Sequence, residues 1–305
     1  MERRFDAVGI GLNSVDFLCV VPRFPEFNSK TPMDSFSQQG GGQVATAMVA
    51  LSQLGLRTAY IGAVGDDRLG EFSLASLRAE GVNVEGVVLK PGRRTQCAVI
   101  LIDRGSGERT IVWGRDAALE PRDLLQDLVT SGRCLLLDGY ALEAEIQAAR
   151  WAREAGMAVL LDAEEVKPET RELLSLTDVV IAGEDFPSRF TGYGDLREAL
   201  QAIRAAGPAV AAVTLGAEGA LAFDGERFIE SPGFSVPAAD TTGAGDVFHA
   251  GYGYGYLKGW DLERTLSFAN AFAALSCRAV GARSGIPTLS EVEDLMRRQA
   301  RTKGP

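Results

Sequence analysis

The chain has 305 residues, of which 46% are apolar and 24% charged, and a formal net charge of −10. That length suits one large α/β domain or two smaller ones, and the apolar share supports a sizeable core. The acidic balance argues against a nucleic-acid surface, because Arg297, Arg298, Arg301 and Lys303 make only the tail locally basic, as a solvated helix end. No stretch approaches the apolar length of a membrane span, and residues 1–6 lack the apolar core of a signal peptide. Cys19, Cys97, Cys134 and Cys277 form no Cys-x-x-Cys pair, which predicts buried, reduced thiols in a cytoplasmic protein. With His249 as the single histidine, a multi-histidine metal site is excluded.

Strand-like and helix-like segments alternate along the chain. Residues 5–12 read as a first strand, and 43–54 as a helix whose apolar face ends at Gly55. A strand over 58–64 and a helix over 68–79 follow. Then come strand 134–138, helix 143–154, strand 158–162, strand 178–182, helix 196–205 and strand 209–215. The last third turns helical, over 245–257, 262–278 and 289–298. Such alternation implies a mainly parallel sheet covered on both faces. Two segments break the rhythm: 15–39, too long for an ordinary connection, and 95–113, whose Gly/Ser turn over 103–108 signals a hairpin. They predict a small sheet outside the main layer, a lid formed by about 14–39 and 93–115 over one domain spanning 1–305.

Residues Asp240-Thr241-Thr242-Gly243-Ala244-Gly245-Asp246 precede an apolar helical run. A glycine-rich turn that opens a helix leaves backbone N–H groups free, with the positive end of the helix dipole behind them, which makes an anion site. A carboxylate beside that anion suits removal of a proton from an attacking hydroxyl. A lone Gly-x-Gly-Asp would equally be an ordinary helix entry with Asp246 complementing the dipole. The full string Asp-Thr-Thr-Gly-Ala-Gly-Asp-Val-Phe resembles the C-terminal signature of the ribokinase-like (PfkB) carbohydrate kinases. The resemblance covers nearly the whole length. It implies a three-layer α/β sandwich with a mainly parallel sheet and a small β lid, Asp246 as general base, and Gly243, Ala244 and Gly245 as the anion hole.

Gly40-Gly41-Gly42-Gln43-Val44-Ala45-Thr46 opens another helix and resembles the family's N-terminal signature, in which Gly41, Gly42 and Thr46 would contact sugar hydroxyls. Thr46 stands where asparagine is usual, and threonine cannot make a two-ended amide contact. Without the resemblance, the glycines read equally as tight helix–sheet packing. Asn13 and Asp16 follow the first strand, where a parallel sheet opens onto its ligand, and the family favours a sugar-binding aspartate there; the bland reading is a turn pair. Arg109 in the lid would reach a hydroxyl or an anionic group, whereas Lys30 reads as a solvated lid residue.

Thr214-Leu215-Gly216-Ala217-Glu218-Gly219 resembles the family turn around ATP, although a plain β-turn uses the same glycines. Asn270 reads as an adenine neighbour or an internal helix amide. The chain departs from the family's Asn-x-x-Glu at Gly183-Glu184-Asp185-Phe186, leaving Glu184 as a candidate for magnesium-bound water. Asp240 and Thr242 match positions that hold a monovalent cation, so potassium joins ATP and magnesium among the implied cofactors. His249 reads as a packed histidine before a partner of the base.

The implied activity is ATP-dependent phosphorylation of a sugar primary hydroxyl. Ketohexokinase-like features (Arg109, Thr46, and Lys167-Pro168 before Glu172-Leu173) lean toward a hexose or ketose. The alternatives are a nucleoside kinase, with Phe17, Phe36 and Trp113 lining a base pocket, and a catalytically silent sugar or nucleotide sensor. Val20, Phe24, Met33, Phe36, Val99, Ile111 and Trp113 are expected on exposed lid faces, which favours a homodimer paired through the lid.

Overall fold

A computed structural model describes residues 3–302; Lys303 of the basic tail lies outside them. Thirteen strands are described: β1 (Ala7–Ile10), β2 (Ser14–Val21), β3 (Ser35–Gly41), β4 (Thr58–Gly65), β5 (Asn83–Lys90), β6 (Cys97–Asp103), β7 (Arg109–Gly114), β8 (Cys134–Leu137), β9 (Ala158–Ala163), β10 (Val179–Ala182), β11 (Val210–Thr214), β12 (Gly219–Phe223) and β13 (Phe228–Pro232). Nine of them form one sheet in the order β13-β12-β11-β10-β9-β8-β1-β4-β5. It is parallel from β5 across to β11 and closes with the antiparallel pairs β11–β12 and β12–β13. The central strands are continuous apolar runs because both faces are covered: Cys-Leu-Leu-Leu in β8 and Val-Val-Ile-Ala in β10 are wholly buried.

The main helices are α1 (Gln43–Gln53), α2 (Arg68–Ala79), α3 (Gln126–Val129), α4 (Leu142–Glu154), α5 (Thr170–Ser175), α6 (Phe186–Thr191), α7 (Leu196–Ala205), α8 (Ala244–Leu257), α9 (Leu262–Ser276) and α10 (Leu289–Thr302). Met48, Leu51, Phe248, Phe268 and Phe272 build the core on one face of the sheet, and Leu142, Ile146, Leu174, Leu200 and Ile203 the core on the other. The result is the expected helix–sheet–helix sandwich. Aspartates start three of the helices: Asp67 accepts from Gly70 N, Asp195 from Arg197 N and Glu198 N, and Asp261 from Arg264 N. In α8, Gly251 and Gly255 let α9 approach closely. A Cβ at Gly251 would lie 2.8 Å from Ala269 Cα, and one at Gly255 2.9 Å from Thr265. No described helix is long and apolar enough to cross a membrane.

The remaining strands form the lid, in the order β3-β2-β6-β7, with β2 and β6 parallel and the outer pairs antiparallel. Its pleat separates two faces. Asp16, Ala98 and Trp113 stand in one cross-strand row and turn toward the main sheet, while Phe17, Val99 and Val112 form the next row on the outer face. Val99 and Val112 are well exposed, as are Phe24, Met33 and Phe36. Val20 packs instead against the small lid core of Leu18, Ala98, Ile100 and Ile102. Strand β5 has no counterpart in the sequence reading, because its half-buried edge position leaves no clean alternation.

Candidate active site

The site lies where the C-terminal ends of β1, β9 and β10 meet the lid and the start of α8. A cavity of about 450 Å³ there is lined by Asp16, Gly42, Asp162, Glu164, Gly245 and Asp246, among others. A second cavity, of about 490 Å³, is lined by Thr214, Gly216, Gly219 and Asn270, together with apolar Phe234, Val236 and Phe248. Thr214, Thr241 and Gly245 belong to both. The two chambers therefore join at the N-terminus of α8.

Gly243 caps α8 in the left-handed region at φ 76°, with no side-chain cap, and a Cβ there would lie 2.6 Å from Ala282 Cβ. The turn does not free all three amides that were expected to form the anion hole. Ala244 N donates back to Thr241 O at 3.2 Å, while the N–H groups of Gly243, Gly245 and Asp246 have no acceptor among the described residues. At Gly245 an added Cβ would meet nothing within 4 Å, so this backbone faces open space. Asp246, in the first turn of α8, has its pKa pushed well above the ordinary carboxylate range. Burial is the main cause, reinforced by the Asp162, Glu164 and Asp16 charges and opposed by His249.

His249 Nδ1 contacts Gly245 O at 2.7 Å and Nε2 lies 3.3 Å from Ile181 O and 3.4 Å from an Asp162 oxygen. It is a packed ring tied to backbone carbonyls, and burial lowers its pKa. Asp240 and Thr242 form a clasp: Asp240 Oδ1 accepts from Thr242 N and Oγ1, and Oδ2 from Gly281 N at 2.8 Å.

The three consecutive glycines have three different reasons. A side chain at Gly40 would overlap the Arg283 guanidinium, and one at Gly41 the Asp16 carboxylate. Gly42 precedes α1 at φ 89°, where a Cβ would lie 2.6 Å from Leu12 O. Gly42 lines the acceptor-side cavity and Gly41 makes room for Asp16, which is 7% exposed and accepts from Ser14 Oγ at 2.7 Å. Burial raises the Asp16 pKa against the pull of Ser14 and Arg283.

Several expected contacts move. Thr46 is fully buried and does not line the cavity; its Oγ1 accepts from Arg283 Nε at 3.3 Å. Asn13 is buried beside the site, with Nδ2 on Ser73 Oγ at 2.5 Å and its carbonyl oxygen unpartnered. Arg109 donates to Thr241 Oγ1 at 2.7 Å, latching the lid over the junction of the chambers. Asn270 lines the second cavity while pinning Ser231 through its amide nitrogen. Glu184 is exposed, and only its neighbour Gly183 lines the cavity. Phe17 and Phe36 stack with centroids 6.1 Å apart, away from the cavity, so of the three aromatics proposed for a base pocket only Trp113 lines it.

Sequence reasoning missed three groups. Arg283 is half-buried, donates from Nη2 to Gly41 O at 2.7 Å, and has its pKa pulled down to about 10 by desolvation against the attraction of Asp16 and Asp246. Asp162 and Glu164 edge the cavity beside Asp246, with Glu164 accepting from Gln43 Nε2 at 3.0 Å and Tyr140 Oη at 2.9 Å. The signal was present in the acidic run that directly ends strand β9. No group of three metal-binding side chains stands together among the described residues. That donor set fits magnesium held mostly by phosphate oxygens and water, with carboxylates at its edge.

Comparison with known proteins agrees with this layout. The chain is 28% identical over 292 residues to the ribokinase of Bacillus subtilis, covering 94% of this chain and 98% of that one. It is 30% identical over 292 residues to an ATP-dependent ribose-1-phosphate kinase of Halopiger xanaduensis, covering 89% and 91%. The solved structure of Arabidopsis thaliana ribokinase complexed with ribose and ATP superposes with a TM-score of 0.84 at 25% identity, covering 97% and 99%. The model of the pfkB family of carbohydrate kinases matches residues 5–289, and the chain belongs to that family.

Proposed function

We propose that this carbohydrate kinase moves the terminal phosphoryl group of ATP onto a primary hydroxyl of a small sugar bound between the lid and β1. The observation that carries the reading is the junction of two chambers at the α8 N-terminus, with free N–H groups and Asp246 on the acceptor side. Asp246 takes the proton from the acceptor hydroxyl as that oxygen bonds to phosphorus and the bond to the nucleotide breaks. Its raised pKa makes it a stronger base than an ordinary carboxylate. The amides of Gly243 and Gly245 from the expected set, joined by Asp246 in place of the engaged Ala244, hold the phosphoryl oxygens ahead of the helix dipole. Thr214, Gly216, Gly219 and Asn270 line the nucleotide chamber. Asp162 and Glu164, in the part expected of Glu184, would face the waters of a magnesium ion, which neutralises phosphate charge when bound.

Asp16 and Asn13 supply carboxylate and amide oxygens to sugar hydroxyls, with Gly41 and Gly42 leaving the room; Thr46 acts through Arg283. A hexose or ketose preference finds no support: the relatives are named for ribose and ribose 1-phosphate, and Thr46, part of that lean, faces away from the cavity. Asp240 and Thr242 remain the place for a monovalent cation, which would act on the anion hole through the Gly281 clasp. Turnover in potassium against choline salts checks this, and equal rates would refute it. A nucleoside kinase keeps one observation, Trp113 in the acceptor cavity.

A panel of pentoses, hexoses, phosphosugars, sugar acids and nucleosides, scored for ADP release, tests the proposal. Asp246→Asn should lower kcat on the best acceptor by about two to four orders of magnitude, the usual range for loss of a general base. A variant retaining most of its turnover would remove Asp246 from that role.

A further inference from the structure

Two acids that the phosphoryl-transfer chemistry does not use lie behind the wall of the acceptor cavity. Asp138 directly follows β8 and Glu145 stands in the first turn of α4; they are 1% and 0% exposed, and neither lines the cavity. A carboxyl buried this deeply is costly unless its oxygens are satisfied. Asp138 Oδ2 accepts from Leu12 N at 2.6 Å and Oδ1 from Tyr140 N at 3.1 Å, and the Val44 backbone in the first turn of α1 also steadies its charge. Glu145 Oε2 accepts from Gly139 N at 2.6 Å and Oε1 from Ala141 N at 2.8 Å.

A hydrogen bond joins the two side chains, and it needs a proton on one of them. Two touching carboxylates in a dry core do not both ionise. The charge stays on Asp138, which has more backbone donors. The proton stays on Glu145, held well above the ordinary carboxylate range by burial and by the Asp138 charge. The segments bonded to Asp138 come from distant parts of the chain, and all of them reach the acceptor cavity. Leu12 lines it and leads into β2, which carries Asp16; Val44 follows Gly42 and Gln43 on its wall; Tyr140 lines it from the β8–α4 loop. The fit to β1 is close: a Cβ at Gly11 would lie 2.3 Å from Asp138 Oδ2, and Tyr60 Oη of β4 donates to Gly11 O at 2.6 Å. Among the described residues, neither acid bonds to α8 or lines the nucleotide chamber.

We propose that Asp138 and Glu145 are a positioning pair for the acceptor: joined by their hydrogen bond, they fix Leu12, Val44 and Tyr140 relative to one another and so set the spacing of the cavity without touching the sugar. The inference rests on the reading of that cavity as the acceptor's.

Two replacements of Glu145 separate positioning from mere filling of space. Glu145→Leu removes the donor to Asp138 and both acceptors, whereas Glu145→Gln still offers a hydrogen to Asp138 and one oxygen to the backbone. Acceptor KM should rise by about 10- to 100-fold in Glu145→Leu, as for buried polar groups left unpaired. Its kcat and its KM for ATP should stay close to the wild type, the pattern of lost binding that ground and transition states share. Glu145→Gln should return most of the loss. An unchanged acceptor KM overturns the inference, as does a matching rise in the KM for ATP, a fall in kcat, or a glutamine variant no better than leucine. Where Glu145→Leu does not fold, Asp138→Asn decides: an acceptor KM raised several-fold at unchanged KM for ATP supports the pair, and an unchanged one overturns it. Absence of ADP release from the wild type with every acceptor sinks the kinase reading instead. Hydrogen exchange then decides the pair on its own. Faster exchange at the Leu12, Val44 and Tyr140 amides of Asp138→Asn, with β10 and β11 unaltered, supports it, and equal exchange at those three amides overturns it.

Discussion

Gly243 and Gly245 are two positions apart, yet the structure assigns them opposite sensitivities. At Gly245 an added Cβ meets no atom within 4 Å, and the residue lies inside α8. Glycine is about 0.3–0.4 kcal/mol worse than valine in a helix interior, so Gly245→Val should leave stability within about 0.5 kcal/mol of the wild type. The same branch would fill the junction of the two chambers and shield a free N–H group. Loss of one such donor costs about 10²–10³ in kcat in comparable anion holes. Gly243→Ala is the contrasting case. Its φ of 76° costs a side chain about 1–2 kcal/mol, and overlap with Ala282 Cβ at 2.6 Å adds about 1–3 kcal/mol. Over 305 residues, an unfolding entropy of about 2.1 cal/mol/K per residue turns that total into a Tm loss of roughly 3–8 °C. Calorimetric unfolding and steady-state ADP release on both variants give the four numbers needed. Gly245→Val with normal kcat would show the turn to be a mere helix entry. A Tm loss in Gly245→Val matching that of Gly243→Ala would show that its surroundings are packed rather than open.

The raised pKa of Asp246 gives two signed expectations. The acidic limb of kcat/KM should have its midpoint above the ordinary carboxylate range, since the base works only when ionised; a limb near pH 4 would contradict the burial argument. Because the folded pKa is the higher one, its contribution to stability is complete below the unfolded pKa of about 3.9 and is lost as pH rises through the folded value. Asp246→Asn should therefore gain on the wild type in chemical denaturation as pH rises from 4 to 8, and a constant gap would refute this. Arg283→Met leaves Gly41 O and the Asp16 charge without their partner, so acceptor KM should rise and stability fall by about 1–3 kcal/mol; unchanged KM would confine Arg283 to a structural role. The apolar row Phe17–Val99–Val112 on the outer lid face should pair two chains, so light scattering at micromolar concentration should give twice the 32.5 kDa chain mass. A mass of 32.5 kDa with and without ligands would refute the dimer.

Backbone architecture was largely legible because it follows from local patterns. Apolar runs in β8 and β10, aspartate caps on α2, α7 and α9, and the hairpin turn after β6 all act within a few residues. Asp246 and the Gly243 turn were legible for the same reason. What escaped were partnerships across the chain. Arg283 reaches Gly41 and Thr46 over more than 230 positions, so nothing near Thr46 tells that its hydroxyl faces a guanidinium and not a sugar. Of the lid aromatics, Phe17 and Phe36 were misassigned on strand parity while Trp113 was not: Phe17 alternates with Asp16, so if Asp16 faces the cavity Phe17 cannot. The engaged amide of Ala244 reflects a reverse turn that the glycine spacing alone does not specify.

Helix α8 docks on α9 with Gly251 close against the Ala269 backbone and Gly255 against the Thr265 side chain, while Tyr254 stacks on Phe268 across the same seam. Such a joint has few intermediate positions, and the helix that carries the anion hole behaves as a fixed post. Opening and closing then fall to the four lid strands, which Arg109 latches to Thr241 just ahead of that post and Gln39 ties to Val280 and Ser284 beside it. The division has an engineering consequence: acceptor choice can be rewritten strand by strand in the lid while the phosphoryl-handling machinery is left untouched. It has a kinetic one as well, since the release of the Arg109–Thr241 hydrogen bond, whose donor lies on the lid, can set how quickly product leaves.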